Sequence, residues 1–171
     1  DNPMAPVGPI GLIPLKGSME FSEQVNYYLN KRRLEYQEDG YASKYPGFLR
    51  SDYKISVNNA RFSSGEGKAV VQNSVRGHDL YILADVMNPS VTYKMFGMDN
   101  RMSPDDHYQD LKRVILACSG KARRINVIMP FLYESRQHKR SSRESLDCAL
   151  ALQELVRMGV DNIITFDAHD P

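Results

Sequence analysis

Three stretches, "DLYILAD" (79–85), "INVIMP" (125–130) and "NIITFD" (162–167), are apolar almost throughout and are separated by two segments with helical punctuation. A strand that alternates apolar and polar residues can leave one face in water, whereas a strand without that alternation has to be covered on both faces. The first intervening segment, "SPDDHYQDLKRVILACSG", puts Ser103 at an N-cap position and Pro104 at the first helical position. Acids fill its first turn, Gly120 closes it, and Leu111, Val114, Ile115 and Cys118 form its apolar face. The second segment predicts a helix from about Ser142 to Met158, stopped by Gly159. Strand, helix, strand, helix, strand, with each strand buried, requires right-handed crossovers onto a parallel sheet. The expected fold is therefore α/β, a mostly parallel twisted sheet with helices on both faces.

Upstream the pattern is less regular. Residues 1–9, "DNPMAPVGP", read as a flexible Pro-rich tail. "IGLIPL" (10–15) predicts a short strand, and Phe21, Val25, Tyr28 and Leu29 fall at i, i+4, i+7 and i+8, the stripe of a helix. Residues 31–60 are charged and Tyr-rich without a clean period and read as a variable surface excursion. "KAVVQ" (68–72) predicts another strand. A chain of 171 residues fits a single domain, here 10–171. Its net charge of +1 demands neither nucleic acid nor an acidic membrane as partner. No signal peptide and no bilayer-length apolar run is visible, so a cytoplasmic protein is expected. Cys118 and Cys148 sit in helical patterns without metal spacing and read as reduced core thiols.

Ligands of an open parallel sheet sit outside the carboxyl ends of its strands. Three polar clusters fall at such ends: "NPSVTYKM" after residue 87, "FLYESRQHKR" after Pro130 and "DAHDP" after Phe166. Strand alternation sends Asp167 and His169 to one face, where the pair can hold Mg²⁺ directly or through water, or Asp167 can orient His169. A histidine satisfied by its neighbour for structural reasons fits the same spacing. "SRQHKRSSR" (135–143) gathers Arg136, Lys139, Arg140 and Arg143 around Gln137 and His138. Guanidinium and ammonium groups ahead of a helix suit phosphate oxygens, although a charge run is also what a solvated loop looks like. In "RFSSGEGKAVVQNSVRGHD" (61–79), Gly65 and Gly67 suit a tight turn, and Phe62 beside Ser63 and Ser64 could stack an aromatic ligand. On composition alone, a hairpin turn with a core Phe fits better. There is no Walker-type loop, no zinc pattern and no Ser/His/Asp order. The residues by themselves point to an α/β domain with a phosphate-and-metal mouth.

Taken together and in order, "FSSGE", "SVRGHD", "YESRQHKR" and "DAH" resemble four motifs of the ribose-phosphate diphosphokinases (phosphoribosyl pyrophosphate synthetases). The resemblance runs from about Gly11 to the last residue, is weak through 31–60, and is similar to a divergent, longer bacterial form. It implies a phosphoribosyltransferase-like three-layer domain, the N-terminal ATP-binding half of an enzyme whose C-terminal sugar-phosphate domain is absent from this chain. The implied reaction is Mg²⁺-dependent transfer of the diphosphoryl group of ATP to ribose 5-phosphate, giving phosphoribosyl pyrophosphate and AMP; the 171-residue piece alone is expected to be inactive.

The resemblance also implies roles. Phe62 would stack on adenine, Ser64 and Glu66 would bond its edge, and Arg136 and Gln137 would sit against the nucleotide. His169, with Asp167 behind it, would ligate Mg²⁺. Ser74 and Arg76 match positions that bind a phosphate or ADP effector at a subunit interface, with Lys139 and Arg140 next to both sites. Sites shared between subunits imply a homo-oligomer, a dimer or hexamer. Two departures stand out: Ser64 replaces the family's Asp in Phe-x-Asp-Gly-Glu, and His138 replaces the Asp after Arg-Gln. They keep a second class open, a non-catalytic nucleotide-binding regulatory or scaffolding relative.

Overall fold

The computed structural model describes residues 5–37, 40, 44–61, 67–86, 91–130 and 144–165, apart from the side chains of 60, 61, 95 and 144–149. The chain runs β1 (Ile10–Pro14), α1 (Met19–Leu34), β2 (Val57–Arg61), β3 (Gly67–Val71), β4 (Asp79–Leu83), β5 (Thr92–Met95), β6 (Met98–Arg101), α2 (Pro104–Cys118), β7 (Arg124–Met129), α3 (Glu144–Arg157) and β8 (Asn162–Thr165). Strands β1, β4, β7 and β8 form one parallel sheet in the order β1-β4-β7-β8; β2 with β3 and β5 with β6 are antiparallel hairpins.

Side-chain alternation divides the sheet into two faces. Ile13, Leu80, Ile82, Ile125, Val127 and Met129 point to one face, where Leu111, Val114, Ile115 and Cys118 of α2 and Ala151 and Leu155 of α3 meet them. All four residues expected on the apolar face of α2 are buried there. The Tyr108 hydroxyl fastens the two helices, donating to Ala151 O at 3.0 Å and to a Glu154 carboxylate oxygen at 3.1 Å. The expected start of α2 is present as a reciprocal cap. Asp106 N donates to Ser103 Oγ, and Ser103 N donates to Asp106 Oδ2, each at 3.0 Å.

On the opposite face, Leu12, Tyr53 and Leu83 are buried under Phe21, Val25 and Leu29 of α1. Tyr28, expected on the same stripe, is instead 65% exposed and lines a surface groove with Phe21 and Val25. It sits at the margin of the stripe, where a phenol can keep its hydroxyl in water. The segment read as a surface excursion is also partly interior: Phe48, Tyr53 and Ile55 are buried. Leu12 N donates to Tyr53 O at 2.9 Å and Ile55 N to Leu12 O at 2.7 Å, so residues 53–55 lie parallel to β1 on its outer side. Buried Arg33 donates to Phe48 O at 2.9 Å and stacks on the Phe48 ring at 4.1 Å, which pins this segment to α1.

That arrangement reverses the winding. From β1 the chain crosses through α1 to residues 53–55 on one side; from β4 it crosses through α2 and α3 to β7 and β8 on the other. Right-handed crossovers in opposite directions put α1 on one face and α2 and α3 on the other, so the expected covering of both faces is met. The switch point lies between β1 and β4.

Two further differences from the sequence reading concern strands. Part of the polar cluster "NPSVTYKM" is β5, paired to β6 through a two-residue turn of Phe96 and Gly97, with φ of 53° and 77°. Strand β8, expected to be buried, is an edge strand. Ile163 packs on the core while Ile164 is 38% exposed on the opposite face.

Two stability predictions arise here. Phe96 is 75% exposed in the left-handed region that a hairpin turn of this type reserves for Asn or Gly. Phe96→Asn is expected to stabilise the fold by about 1 kcal/mol, seen as a higher urea midpoint at unchanged slope. Burial pushes the Cys118 thiol from its ordinary value near 9 up to about 11. Burial likewise raises the Tyr108 phenol. For a thiol with a raised folded pKa, the stabilisation is complete below the unfolded value and is lost as pH climbs. Unfolding free energy is therefore expected to fall between pH 9 and 11, and to fall less steeply in Cys118→Ala. An equally steep decline in that variant would contradict the assignment.

Candidate nucleotide and anion sites

The sheet has two chemically different edges. At the carboxyl edge, Pro14 is in register with Leu83, Leu83 with Ile128, and Met129 with Thr165. Strands β4, β7 and β8 therefore end side by side, and the polar clusters 88–95, 131–140 and 167–171 follow them in sequence. The start of α1 is tied to this edge: Asp85 N donates to the buried Ser18 Oγ at 2.7 Å, and Leu15 N donates to Leu83 O at 3.0 Å. Lys16 and Asp85 flank the switch point, where open α/β sheets hold their ligands. Phe62, Ser64, Glu66, Arg136, Gln137, Lys139, Arg140, Asp167 and His169 lie outside the described residues.

Among the described residues, no three His, Cys, Asp or Glu side chains cluster as a metal cage. Magnesium needs none, because it keeps several waters and takes one or two protein groups beside nucleotide phosphates. A carboxylate and an imidazole, Asp167 and His169, fit that donor set, and they follow β8, whose last residue, Thr165, is in register with Met129 of β7.

At the amino edge the turn "SVRGH" is described in full. Val75 is buried and anchors it, while Ser74 and Arg76 are exposed. Arg76 N donates to Ser74 Oγ at 3.4 Å, and His78 Nδ1 lies 3.2 Å from Arg76 O. Gly77 N donates to Lys121 O at 3.1 Å, and Arg123 N donates to His78 O at 2.9 Å. This pairing sets the exposed side chains of Lys121 and Arg123 on the same edge as Ser74 and Arg76. Sequence reasoning did not reach these two cations; the basic run "KARR" ahead of β7 was the signal available. The five residues of β4 hold this turn roughly 15 Å from the carboxyl edge.

Behind the turn, Asp79 opens a polar network that crosses the sheet. Arg124 grips it with two hydrogen bonds of 2.8 Å, from Nε to Oδ1 and from Nη2 to Oδ2. Asn126 donates to Asp79 Oδ1 and to Leu80 O, both at 2.9 Å; Tyr81 donates to Asp79 Oδ2 at 3.2 Å; and Asn162 donates to Asn126 Oδ1 at 2.7 Å. The Asp79 hydrogen bonds hold Arg124 ever more firmly in its charged form. Asp79 thus ends the "SVRGHD" motif as an anchor, holding the first residues of β4, β7 and β8 in register.

Comparison with known proteins agrees with this architecture. Residues 11–159 match the family model of the N-terminal domain of ribose phosphate pyrophosphokinase. Ribose-phosphate pyrophosphokinase B of Dictyostelium discoideum is 30% identical over 126 residues, covering 71% of this chain and 34% of that protein. Ribose-phosphate pyrophosphokinase 1 of Schizosaccharomyces pombe is 31% identical over 115 residues, covering 66% and 25%. The chain spans about a third or less of the length of such relatives. In fold it is similar to phosphoribosylpyrophosphate synthetase from Mycobacterium smegmatis, with a TM-score of 0.63 at 20% identity over 95% of this chain and 43% of that one. A four-motif resemblance, a family match across 11–159 and a shared fold agree: the chain belongs to the ribose-phosphate pyrophosphokinase family, to which it contributes the N-terminal domain.

Proposed function

We propose that this chain is the nucleotide-holding half of a cytoplasmic ribose-phosphate diphosphokinase. In the proposed reaction the 1-hydroxyl oxygen of ribose 5-phosphate attacks the β-phosphorus of ATP, the bond from that phosphorus to the α-phosphate oxygen breaks, and AMP leaves as the hydroxyl proton is lost. The observation that supports this reading is the register at the carboxyl edge, where β4, β7 and β8 end side by side next to a winding reversal. Phe62, Ser64 and Glu66 would hold adenine, and Arg136 and Gln137 the phosphates, with Lys139 and Arg140 adding positive charge. His169, oriented by Asp167, would hold Mg²⁺, which when bound supplies charge neutralisation on the diphosphoryl group. Catalysis in such a site is positioning plus electrostatics, with no covalent intermediate on the protein. The sugar phosphate would be held by a C-terminal domain.

At the amino edge, Ser74, Arg76, Lys121 and Arg123 form a basic surface suited to phosphate or to the diphosphate of ADP. This is the proposed effector site, completed by a second copy in a homo-oligomer.

The deciding experiment is AMP release dependent on ribose 5-phosphate, assayed in the longest natural chain that carries these residues and in this 171-residue piece. Release by the long chain and none by the piece is the expected result. Tight Mg-ATP binding by the long chain without AMP release would favour the regulatory relative, the reading to which Ser64 and His138 point.

A further inference from the structure

The β2–β3 hairpin opens at the pair Arg61 and Gly67, so residues 62–66, which carry Phe62, Ser64 and Glu66, leave and rejoin it there. Under that open end lies Arg113 of α2. A Cβ placed on Gly67 would stand 2.5 Å from Arg113 Nη1 and 2.9 Å from Cζ, closer than side-chain carbons pack, so the guanidinium rests directly on the Gly67 backbone. The Arg113 side chain, 30% exposed, is tethered from the helix side. Nη1 donates to Asp110 Oδ1 at 2.9 Å, and Asp110 is buried in α2. Elsewhere along this seam the hairpin meets the core through Val57, Ala69 and Val71, an apolar contact that holds it down without fixing how far it slides. Asn59, on the same inward row of β2, has a buried Oδ1 with no hydrogen-bond partner among the described residues, so the seam is polar toward its open end. An ion pair with one buried and one partly exposed partner adds little stability, but it is directional.

We propose that Asp110 and Arg113 are a positioning pair: a buried carboxylate fixes a guanidinium, the guanidinium fixes Gly67, and the loop holding the nucleotide leaves the hairpin at a height set by this stack. The proposal rests on the reading of residues 62–66 as the adenine-holding segment. Neither side chain touches the nucleotide; both act through the backbone of Gly67. This gives Gly67 a role beyond turn formation, because any side chain there pushes against Arg113.

The test uses the longest natural chain and steady-state kinetics on Phe62→Ala, Arg113→Ala, Gly67→Ala and the Gly67→Ala/Arg113→Ala double variant. Arg113→Ala and Gly67→Ala are each expected to raise the KM for Mg-ATP roughly tenfold, with kcat and the KM for ribose 5-phosphate within about twofold. In the double variant the added methyl has room, so its KM should equal that of Arg113→Ala, a coupling that a general loss of stability does not produce. An unchanged KM for Mg-ATP in Gly67→Ala, with Phe62→Ala raised, would overturn the positioning role and leave the nucleotide reading standing. An unchanged KM in Phe62→Ala would overturn that reading and the proposal with it. Should Arg113→Ala fail to fold, Gly67→Ala alone decides.

Discussion

His169→Ala, made in the longest natural chain, is expected to lower ribose 5-phosphate-dependent AMP release by about a hundredfold or more. Altering a group that merely supports a metal ligand costs about ten- to a hundredfold, so removing the ligand should cost at least the upper end. The expectation rests on the proposed metal role of His169, which follows β8 where Thr165 is in register with Met129 of β7. Asp167→Asn keeps the imidazole and loses only its orienting charge, so its loss should be nearer tenfold. Raising the Mg²⁺ concentration should restore part of the His169→Ala rate by mass action, but not that of a variant lacking Arg136. Full turnover in His169→Ala would remove the metal from this position.

Asp79→Ala should give a large loss of stability for a polar substitution in the described sheet. It deletes both 2.8 Å bonds from Arg124, leaves half-buried Tyr81 without its acceptor, and leaves buried Asn126 with Leu80 O alone. Breaking a buried pair from one side costs about 3–5 kcal/mol. The Arg124 side chain is 34% exposed and can recover some hydration, which places the expectation near the lower bound, about 3 kcal/mol. For a domain of this size that is a fall of roughly 10 °C in Tm. Replacing Asp79 and Arg124 together by leucines should recover most of the loss, because no charge is then left unpaired. A loss below about 1 kcal/mol in Asp79→Ala would mean that water replaces the network at little cost.

The parts of this fold that were legible in the sequence share one property: each is specified by near neighbours. Ser103, Pro104 and Asp106 announce the start of α2 within four residues, and the apolar runs of β1, β4 and β7 need no partner to be recognised. What stayed hidden is specified across distance. Tyr53 and Ile55 carry no period because they meet β1 through a single bridge rather than a strand. β5 and β6 are polar, and Phe96-Gly97 is a poor substitute for the Asn-Gly that would have marked their turn. β8 looked interior because its composition is apolar, yet composition does not reveal that a strand lies at an edge. In the candidate sites, the motifs gave residue types and order. Asp79 looked like the tail of a binding motif because its partner Arg124 is 45 residues away. Arg113 drew no notice in the sequence: its ion pair with Asp110 is an ordinary i, i+3 helix pair, and only the packing of Gly67 gives it another meaning.

The reversal of winding between β1 and β4 also bears on the order in which the sheet assembles. Arg124 reaches back 45 residues to Asp79 across the β5–β6 hairpin and α2, and Asn162 reaches back 36 to Asn126 across α3. To meet β4, by contrast, β1 must wait for α1, the 44–56 segment and the β2–β3 hairpin to be threaded between them. Closing that longer loop costs more chain entropy before any pairing rewards it. The half of the sheet built by α2 and α3 is therefore expected to pair first, with higher φ-values for Val127 than for Ile13 as the check.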